Sequence, residues 1–330
     1  MFRKACRVMA VMVLISSCIV AAGQDDRPSF YSIERQRKIL VRPEFLWGGA
    51  FLFFTQSLYY YFDELFTSCR VAGEATTKFV QETLRDAGYT DEQIRSVRVL
   101  KGKSFASLRK SIMVPCNDEQ LQRARQYYET NDDADGRVRV RDKISKLRAQ
   151  KPFRLFTDDE LYILLHLFGE AVTADSIPLW RGLILHEMGH IMHSHHFATY
   201  AFNATIGSAL AAYVPAALGE RFAPASSRGL SGNELEVLLN VCGGLTAFFR
   251  LVTGPVWRFQ ERQADREVVD RANDEQLVAV ARLFTLLSKS DPNVFQRVWD
   301  IFDEHPSDAE RARMFLEAQK QRMAQIKEAV

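Results

Sequence analysis

Five of the seven histidines in this 330-residue chain lie within residues 186–196, HEMGHIMHSHH. His186 and His190 are four residues apart, a spacing that places both imidazoles on one face of an α-helix. Two imidazoles so placed can share a zinc ion, and Glu187 beside them can serve as a general base, as in the HExxH signature. The pattern alone is of moderate specificity, because a solvated helix that carries histidines can produce it by chance.

A catalytic zinc site also needs a third protein ligand and an open position. His196 follows His186 by ten residues, as in metzincins, but this chain has His193 where that motif has glycine. We therefore expect the helix to continue, which places His196 about 15 Å along the axis and turns His195 to the opposite face. His193 stays on the ligand face and is kept as an alternative ligand.

The sequence ERQAD offers a better third ligand. Glu261 and Asp265 are again four residues apart, on one face of a predicted helix. Glu261 would complete a His2Glu set, and Asp265 could then hold the second nitrogen of a ligand imidazole. A solvated helix face explains such a carboxylate pair equally well when the pair is considered alone.

The order HEMGH, ERQAD and EHPSDAER resembles the gluzincin metallopeptidases of the HtpX, Oma and CaaX-prenyl-protease (Ste-type) kind, over roughly residues 94–315. The resemblance implies one zinc ion per chain between the HExxH helix and the ExxxD helix. Its ligands would be His186, His190 and Glu261. The resemblance further implies that His305 stabilises the oxyanion and that Arg311 orders the same corner of the site.

The elements that must position these residues are predicted to be mainly α-helical, with a small β-hairpin or sheet. Residues 94–100 and 108–114 are rich in β-forming side chains and predict a hairpin or a pair of edge strands. The strand at 108–114 could receive an extended substrate by β-augmentation. His166 lies in an apolar helical stretch and is predicted to be a core histidine.

The sequence NDDADG resembles the opening of an EF-hand loop. Its candidate ligand and turn positions are Asn131, Asp133, Asp135 and Gly136, with Asp142 at position twelve. Position twelve is normally a bidentate Glu, and arginines crowd the same stretch. The sequence therefore favours a polar turn between helices over a calcium site.

The N-terminus has the pattern of a secretory leader over residues 1–23, with basic residues, an apolar run and small residues at the cut. Cleavage after Ala22 or Gly23 is favoured, and an uncleaved anchor is the alternative. The sequence ISSC also resembles a lipobox that would lipidate Cys18. We expect an exported protein, periplasmic or otherwise extracytoplasmic.

Two further divisions of the chain follow from composition. Residues 24–91 predict an N-terminal helical segment, and residues 92–330 predict the peptidase domain. That domain is expected to contain an insertion near 117–155 and an apolar helical hairpin near 204–249, which could associate with a membrane.

Charge and composition narrow the function. The formal net charge of +2 gives no basic field for nucleic acid, and 47% apolar with 25% charged residues is typical of a globular protein. The expected partners are protein or peptide substrates, and the expected activity is zinc-dependent endopeptidase. A noncatalytic zinc-bound chaperone or assembly factor is the alternative, and a zinc-free helical protein with accidental motifs is a third hypothesis.

Overall fold

The computed structural model describes residues 70–150, 157–201, 253–288 and 306–329. All of them fall in one compact unit, which comprises residues 60–201 and 246–330. The predicted leader, most of the segment 24–91 and the apolar hairpin near 204–249 lie outside the described residues. Within the ranges described, no helix is both long enough and apolar enough to cross a membrane.

Four short strands form one sheet in the order β1-β2-β4-β3. Their bounds are β1 (Arg70–Val71), β2 (Arg98–Lys101), β3 (Ala106–Leu108) and β4 (Ser111–Val114). The predicted small sheet is confirmed, but its pairing differs from the prediction. β2 pairs with β4 in parallel, and the antiparallel hairpin joins β3 to β4. β4 therefore has neighbours on both sides, and β3 is the sheet edge on that side rather than the strand at 108–114.

A tight turn explains this pairing. Leu108 lies opposite Ser111, so only Arg109 and Lys110 connect β3 to β4. Arg109 has a left-handed φ of 54°, which two-residue hairpin turns require. Arg-Lys lacks the Asn-Gly or Asp-Gly signal that usually marks such a turn, so the sequence pattern did not reveal it.

Helices make up most of the rest. The N-terminal group is α1 (Glu74–Asp86), α2 (Asp91–Arg95), α3 (Asp118–Thr130) and α4 (Ala134–Arg148). The later group is α5 (Asp158–Leu167), α6 (Ser176–Met192), α7 (195–201), α8 (253–271), α9 (Asp274–Leu287) and α10 (Asp308–Ala329). Capping boxes begin α2, α3 and α9, where Thr90, Asn117 and Asn273 each bond reciprocally with a glutamine three residues later.

The EF-hand-like stretch is a polar turn followed by a helix. α3 ends at Thr130 and is capped by Asn131 in the left-handed conformation, with φ of 51°, and α4 begins three residues after this cap. Asp133 pairs with Arg137 at 2.7 Å and accepts a hydrogen bond from the Ala174 amide at 3.2 Å. These contacts tie the carboxylate into the fold.

Gly136 lies inside α4, where it does not form the sharp turn of an EF-hand loop. A Cβ at this position would meet the carbonyl oxygen of Val172 at 2.7 Å. Close packing therefore accounts for the glycine that made the stretch look like a calcium loop.

One hydrophobic core joins these elements. It includes Phe79 of α1, Trp180 and Met188 of α6, and Phe315 of α10. Residues on both sides of the predicted boundary at 91/92 therefore share a core. α6 is buried on nearly every side, which is why its polar residues meet little water.

Candidate metal centre

Helix α6 carries the HEMGH sequence in its last two turns. Pro178 lies in the first turn, where a missing amide proton costs nothing. The facing ring nitrogens of the two histidines, Nε2 of His186 and Nε2 of His190, are 3.2 Å apart. The four-residue spacing has therefore placed both imidazoles against one point, as predicted.

Helix α8 crosses α6 closely enough to bring a carboxylate to the same point. A Cβ on Gly189 would lie 2.8 Å from the Cα of Ala264, so only glycine permits this approach without displacement. Glu261 lies one turn before Ala264. Its Oε2 is 3.3 Å from Nε2 of His186, and its Oε1 is 3.3 Å from Nε2 of His190.

These three residues are the group of potential metal ligands found among the described residues, with ligand atoms all within 4.8 Å of one another. A tetrahedral zinc ion with bonds of about 2.0–2.1 Å would hold its ligand atoms roughly 3.3 Å apart. The separation of 3.2 Å between the two Nε2 atoms matches that edge length, and the Glu261 carboxylate lies 3.3 Å from one of these nitrogens through Oε2 and 3.3 Å from the other through Oε1. Two imidazoles and one carboxylate are also a ligand set that catalytic zinc uses.

The His186 side of the centre is built from charged groups. Nδ1 of His186 lies 3.0 Å from Oδ1 of Asp265, which is 1% exposed. Arg311 binds the same carboxylate twice, through Nε at 2.8 Å and Nη2 at 2.6 Å, and its guanidinium stacks on Phe284. Asp265 thus lies against the second nitrogen of a ligand candidate, as predicted, whereas Arg311 binds Asp265 and its predicted role beside His305 stays a prediction.

Electrostatics on this side favour ionised groups. Burial alone would lower the pKa of His186, but hydrogen bonds and charges from Asp265 and Glu261 outweigh it and raise the pKa to about 10 in the metal-free protein. Burial would raise the pKa of Asp265, yet His186 and Arg311 hold it below its usual value. Asp265 is thus a carboxylate at neutral pH, able to accept the Nδ1 proton of His186.

The chain after HEMGH contradicts the prediction of one continuous helix. α6 ends at Met192, and Ser194 adopts a left-handed φ of 53° before α7 begins. The prediction failed because it required a glycine at residue 193 for a break, whereas the neighbouring serine takes the left-handed conformation. The break returns His195 to the site instead of turning it to the opposite face.

His195 contacts the second ring nitrogen of His190. The two Nδ1 atoms are 2.9 Å apart, and Nε2 of His195 lies 3.1 Å from Oε1 of Gln263. Burial lowers the pKa of His195 to about 4, against the opposing effect of Gln263, so this ring is neutral at pH 7. The His190 side of the centre is therefore built from uncharged partners.

The other two histidines of the cluster face elsewhere. His193, the alternative ligand, has its Nε2 3.4 Å from Oε1 of Glu267 and is absent from the ligand group. His196 has its Nε2 3.0 Å from the hydroxyl of Ser107 in β3. Burial lowers the pKa of His196 to about 4. His196 thus links the sheet edge to α7, while its ring centroid is 6.3 Å from that of His190.

The remaining predicted site residues are one buried acid and one residue outside the described ranges. Glu187 follows the ligand candidate His186 directly on α6 and is 8% exposed. His305 lies outside the described residues, so its role stays a prediction. The described chain resumes at Pro306, just before α10.

Comparison with known proteins connects this geometry to a family. Residues 173–319 match the model of peptidase family M48. This M48 segment contains the three ligand candidates together with Glu187, Asp265 and Arg311. The match supports a metal-dependent peptidase of the gluzincin fold, and the predicted mainly helical fold class is confirmed. Searches of curated proteins and of solved structures found no match.

Three features of the centre escaped the sequence analysis. Gly189 and Ala264 form the close helix crossing. Both are small residues within four positions of a predicted ligand, and this feature of the sequence could have indicated the crossing. Gln263 lies between two predicted site residues in ERQAD. The prediction for the face of His195 was wrong because the helix breaks at Ser194, where the sequence has no glycine that would indicate a break.

Proposed function

We propose that this chain is a zinc-dependent endopeptidase that hydrolyses peptide bonds in proteins. The observation that carries the proposal is the convergence of two imidazoles and one carboxylate, from His186, His190 and Glu261, beside the buried acid Glu187. The M48 segment around these residues supports the same activity. We propose zinc because two imidazoles and a carboxylate are characteristic of gluzincin-type sites.

The chain's own residues then divide the work. When bound, zinc would supply Lewis-acid polarisation of the scissile carbonyl and would make a water molecule more acidic. Glu187 would take a proton from the attacking water as the new C–O bond forms. It would return that proton to the amine nitrogen as the C–N bond breaks. Asp265 would hold His186 by its Nδ1 proton, and Arg311 would balance the charge of that carboxylate.

Glu187→Gln tests this assignment. Glutamine keeps the size of the side chain but cannot accept the proton, so cleavage of casein should fall by about 100-fold or more while the bound zinc is retained. Zinc content is measured by atomic emission and cleavage by fluorescent casein. Glu92→Gln, an exposed change in α2, is the matched control and should behave as wild type.

Three outcomes would overturn the proposal. A Glu187→Gln protein that cleaves casein as fast as wild type would exclude the assigned mechanism. A wild-type protein that holds zinc yet cleaves neither casein nor itself, before or after chelation and zinc return, would favour the noncatalytic chaperone. A protein that purifies without metal and binds none would favour the zinc-free alternative.

We further propose that the enzyme acts outside the cytoplasm, in protein quality control or processing at or near a membrane. The leader-like pattern of residues 1–23 and the apolar stretches near 204–249 support this setting. Mass spectrometry of the mature N-terminus distinguishes cleavage after Ala22 or Gly23 from lipidation at Cys18. Proteins that accumulate in cells carrying only Glu187→Gln would identify the substrates.

A further inference from the structure

The two ligand histidines have different partners on their outward-facing nitrogens. His186 uses Nδ1 against the carboxylate of Asp265, whereas His190 uses Nδ1 against the ring of His195. The first arrangement is a familiar way to fix a ligand imidazole. The second joins two imidazole rings, and the contacts of each ring nitrogen determine where the protons lie.

The contacts around His190 allow one consistent set of protons once its Nε2 binds a metal. Metal-bound Nε2 uses its lone pair, so the proton of neutral His190 must be on Nδ1. Nδ1 of His195, 2.9 Å away, must then accept that proton in a hydrogen bond. The proton of neutral His195 is consequently on Nε2, which lies 3.1 Å from the amide oxygen of Gln263. Every donor meets an acceptor.

The position of His195 is fixed by more than its ring. The residue is 4% exposed, so water does not compete for these nitrogens. Gln260 of α8 donates to the backbone oxygen of His195 at 3.5 Å and accepts a hydrogen bond from Thr199 at 2.7 Å. α8, which carries Glu261 and Gln263, therefore also anchors the first turns of α7.

We propose that His195 and Gln263 are positioning residues that fix the ring orientation and the tautomer of His190, so that its Nε2 is presented to the metal. This neutral relay rests on the proposed zinc site and deepens it. Gln263 acts as the terminal acceptor, and its carbonyl oxygen sets the direction of both hydrogen bonds. The relay runs alongside the ionic support that Asp265 and Arg311 give to His186.

The test measures zinc affinity of the 330-residue chain by competition with a chromogenic chelator. His195→Leu removes the acceptor and should weaken zinc binding by about 10–100-fold. His195→Asn keeps an acceptor near the position of Nδ1 and should recover most of that loss. Gln122→Leu, an exposed change in α3, should leave the affinity unchanged.

A second pair of variants tests the direction of the hydrogen bonds. Gln263→Glu keeps an acceptor opposite Nε2 of His195, and Gln263→Met removes it at similar volume. We expect the Glu variant to bind zinc at least as tightly as wild type and the Met variant to bind more weakly. The opposite order would overturn the proposed direction.

Metal-free stability separates positioning from folding. Urea unfolding of the chelator-treated proteins should show that the loss of zinc affinity in His195→Leu does not follow a loss of stability. Equal zinc affinity of His195→Leu, Gln263→Met and wild type would overturn the relay while leaving the proposed function intact. A wild-type chain that binds no zinc would overturn both.

Discussion

The two halves of the candidate metal centre hold equivalent imidazoles by different physical means. His186 is held by a buried ion network, in which Asp265 is 1% exposed and Arg311 8% exposed. His190 is held by neutral hydrogen bonds to His195, and through it to Gln263. Removing one member of the ionic half leaves an uncompensated charge, whereas removing one member of the neutral half leaves an unsatisfied dipole.

The halves should also respond to pH in opposite directions in the metal-free protein. The pKa of His186 is raised to about 10 in the folded protein, against roughly 6.5 in the unfolded chain. Protonated His186 therefore stabilises the fold fully below about pH 6.5, and this contribution is lost as the pH rises toward 10. The pKa of His195 is lowered to about 4 in the folded protein. Neutral His195 therefore stabilises the fold fully above about pH 6.5, and this contribution is lost as the pH falls toward 4.

Arg311→Met is the variant that should separate the halves most strongly. It leaves the Asp265 carboxylate buried without its guanidinium partner, so we expect a loss of about 3–5 kcal/mol in the free energy of unfolding. Urea denaturation monitored by circular dichroism measures this loss. His195→Leu removes only an uncharged hydrogen-bond partner, so we expect a much smaller loss in the free energy of unfolding for this variant.

Arg313→Met is the matched control, since Arg313 lies two residues along α10 and is exposed. It should change the free energy of unfolding by no more than about 0.5 kcal/mol. Similar losses for Arg311→Met and Arg313→Met would mean that the buried ion network does not distinguish the two halves.

The sequence predicted the ionic half of the centre, around His186, but it did not predict the neutral half, around His190. Helical spacing alone grouped His186 with His190 and Glu261 with Asp265, because a period of 3.6 residues fixes which side chains share a face. The resemblance to gluzincins then paired the two helices and added Arg311. Each of these steps depends on regular structure or on a motif.

The neutral half depends on a local departure from regular structure. Ser194 and Arg109 both adopt left-handed backbone without being glycine, and each changes the path of the chain. The first brings His195 to the site, and the second folds β3 onto β4. Sequence patterns assign such conformations to Gly, Asn or Asp, so tertiary contacts must impose them here.

Ser194→Val tests whether that turn supports the neutral half. A β-branched residue at φ of 53° is strained, so we expect the free energy of unfolding to fall by about 1–2 kcal/mol. Zinc affinity should fall as well, because His195 depends on the turn, whereas Ser194→Gly should retain both properties. Chelator competition and urea unfolding provide the two measurements.

Ser96→Val is the control for this change, because Ser96 also follows a helix but has a right-handed φ of −72°. Valine is tolerated there, so zinc affinity should stay at the wild-type value. A drop in zinc affinity of equal size in Ser96→Val and Ser194→Val would show that the left-handed turn has no special connection to the metal centre.

His166 is a buried histidine with uncharged partners outside the metal centre. Its effect on the pH dependence of stability is the smallest that we predict. This core histidine lies between the carbonyl oxygen of Tyr162 at 2.8 Å and the hydroxyl of Thr173 at 3.1 Å, and burial lowers its pKa. Above pH 6.5 neither the folded nor the unfolded state protonates it. Below that pH the unfolded chain gains a proton that the fold resists, so stability falls by up to about 1.4 kcal/mol per pH unit.

His166→Asn keeps a donor for the carbonyl of Tyr162 but cannot take up a proton in this range. The loss of stability between pH 7.5 and pH 5.5 should therefore be smaller in this variant than in wild type, when both are measured by urea unfolding with chelator present. Any pH-independent loss of stability caused by the substitution itself cancels when the free energies of unfolding at the two pH values are subtracted. An unchanged difference would mean that a buried imidazole with neutral partners does not oppose protonation here, and the same argument for His195 would then lose its support.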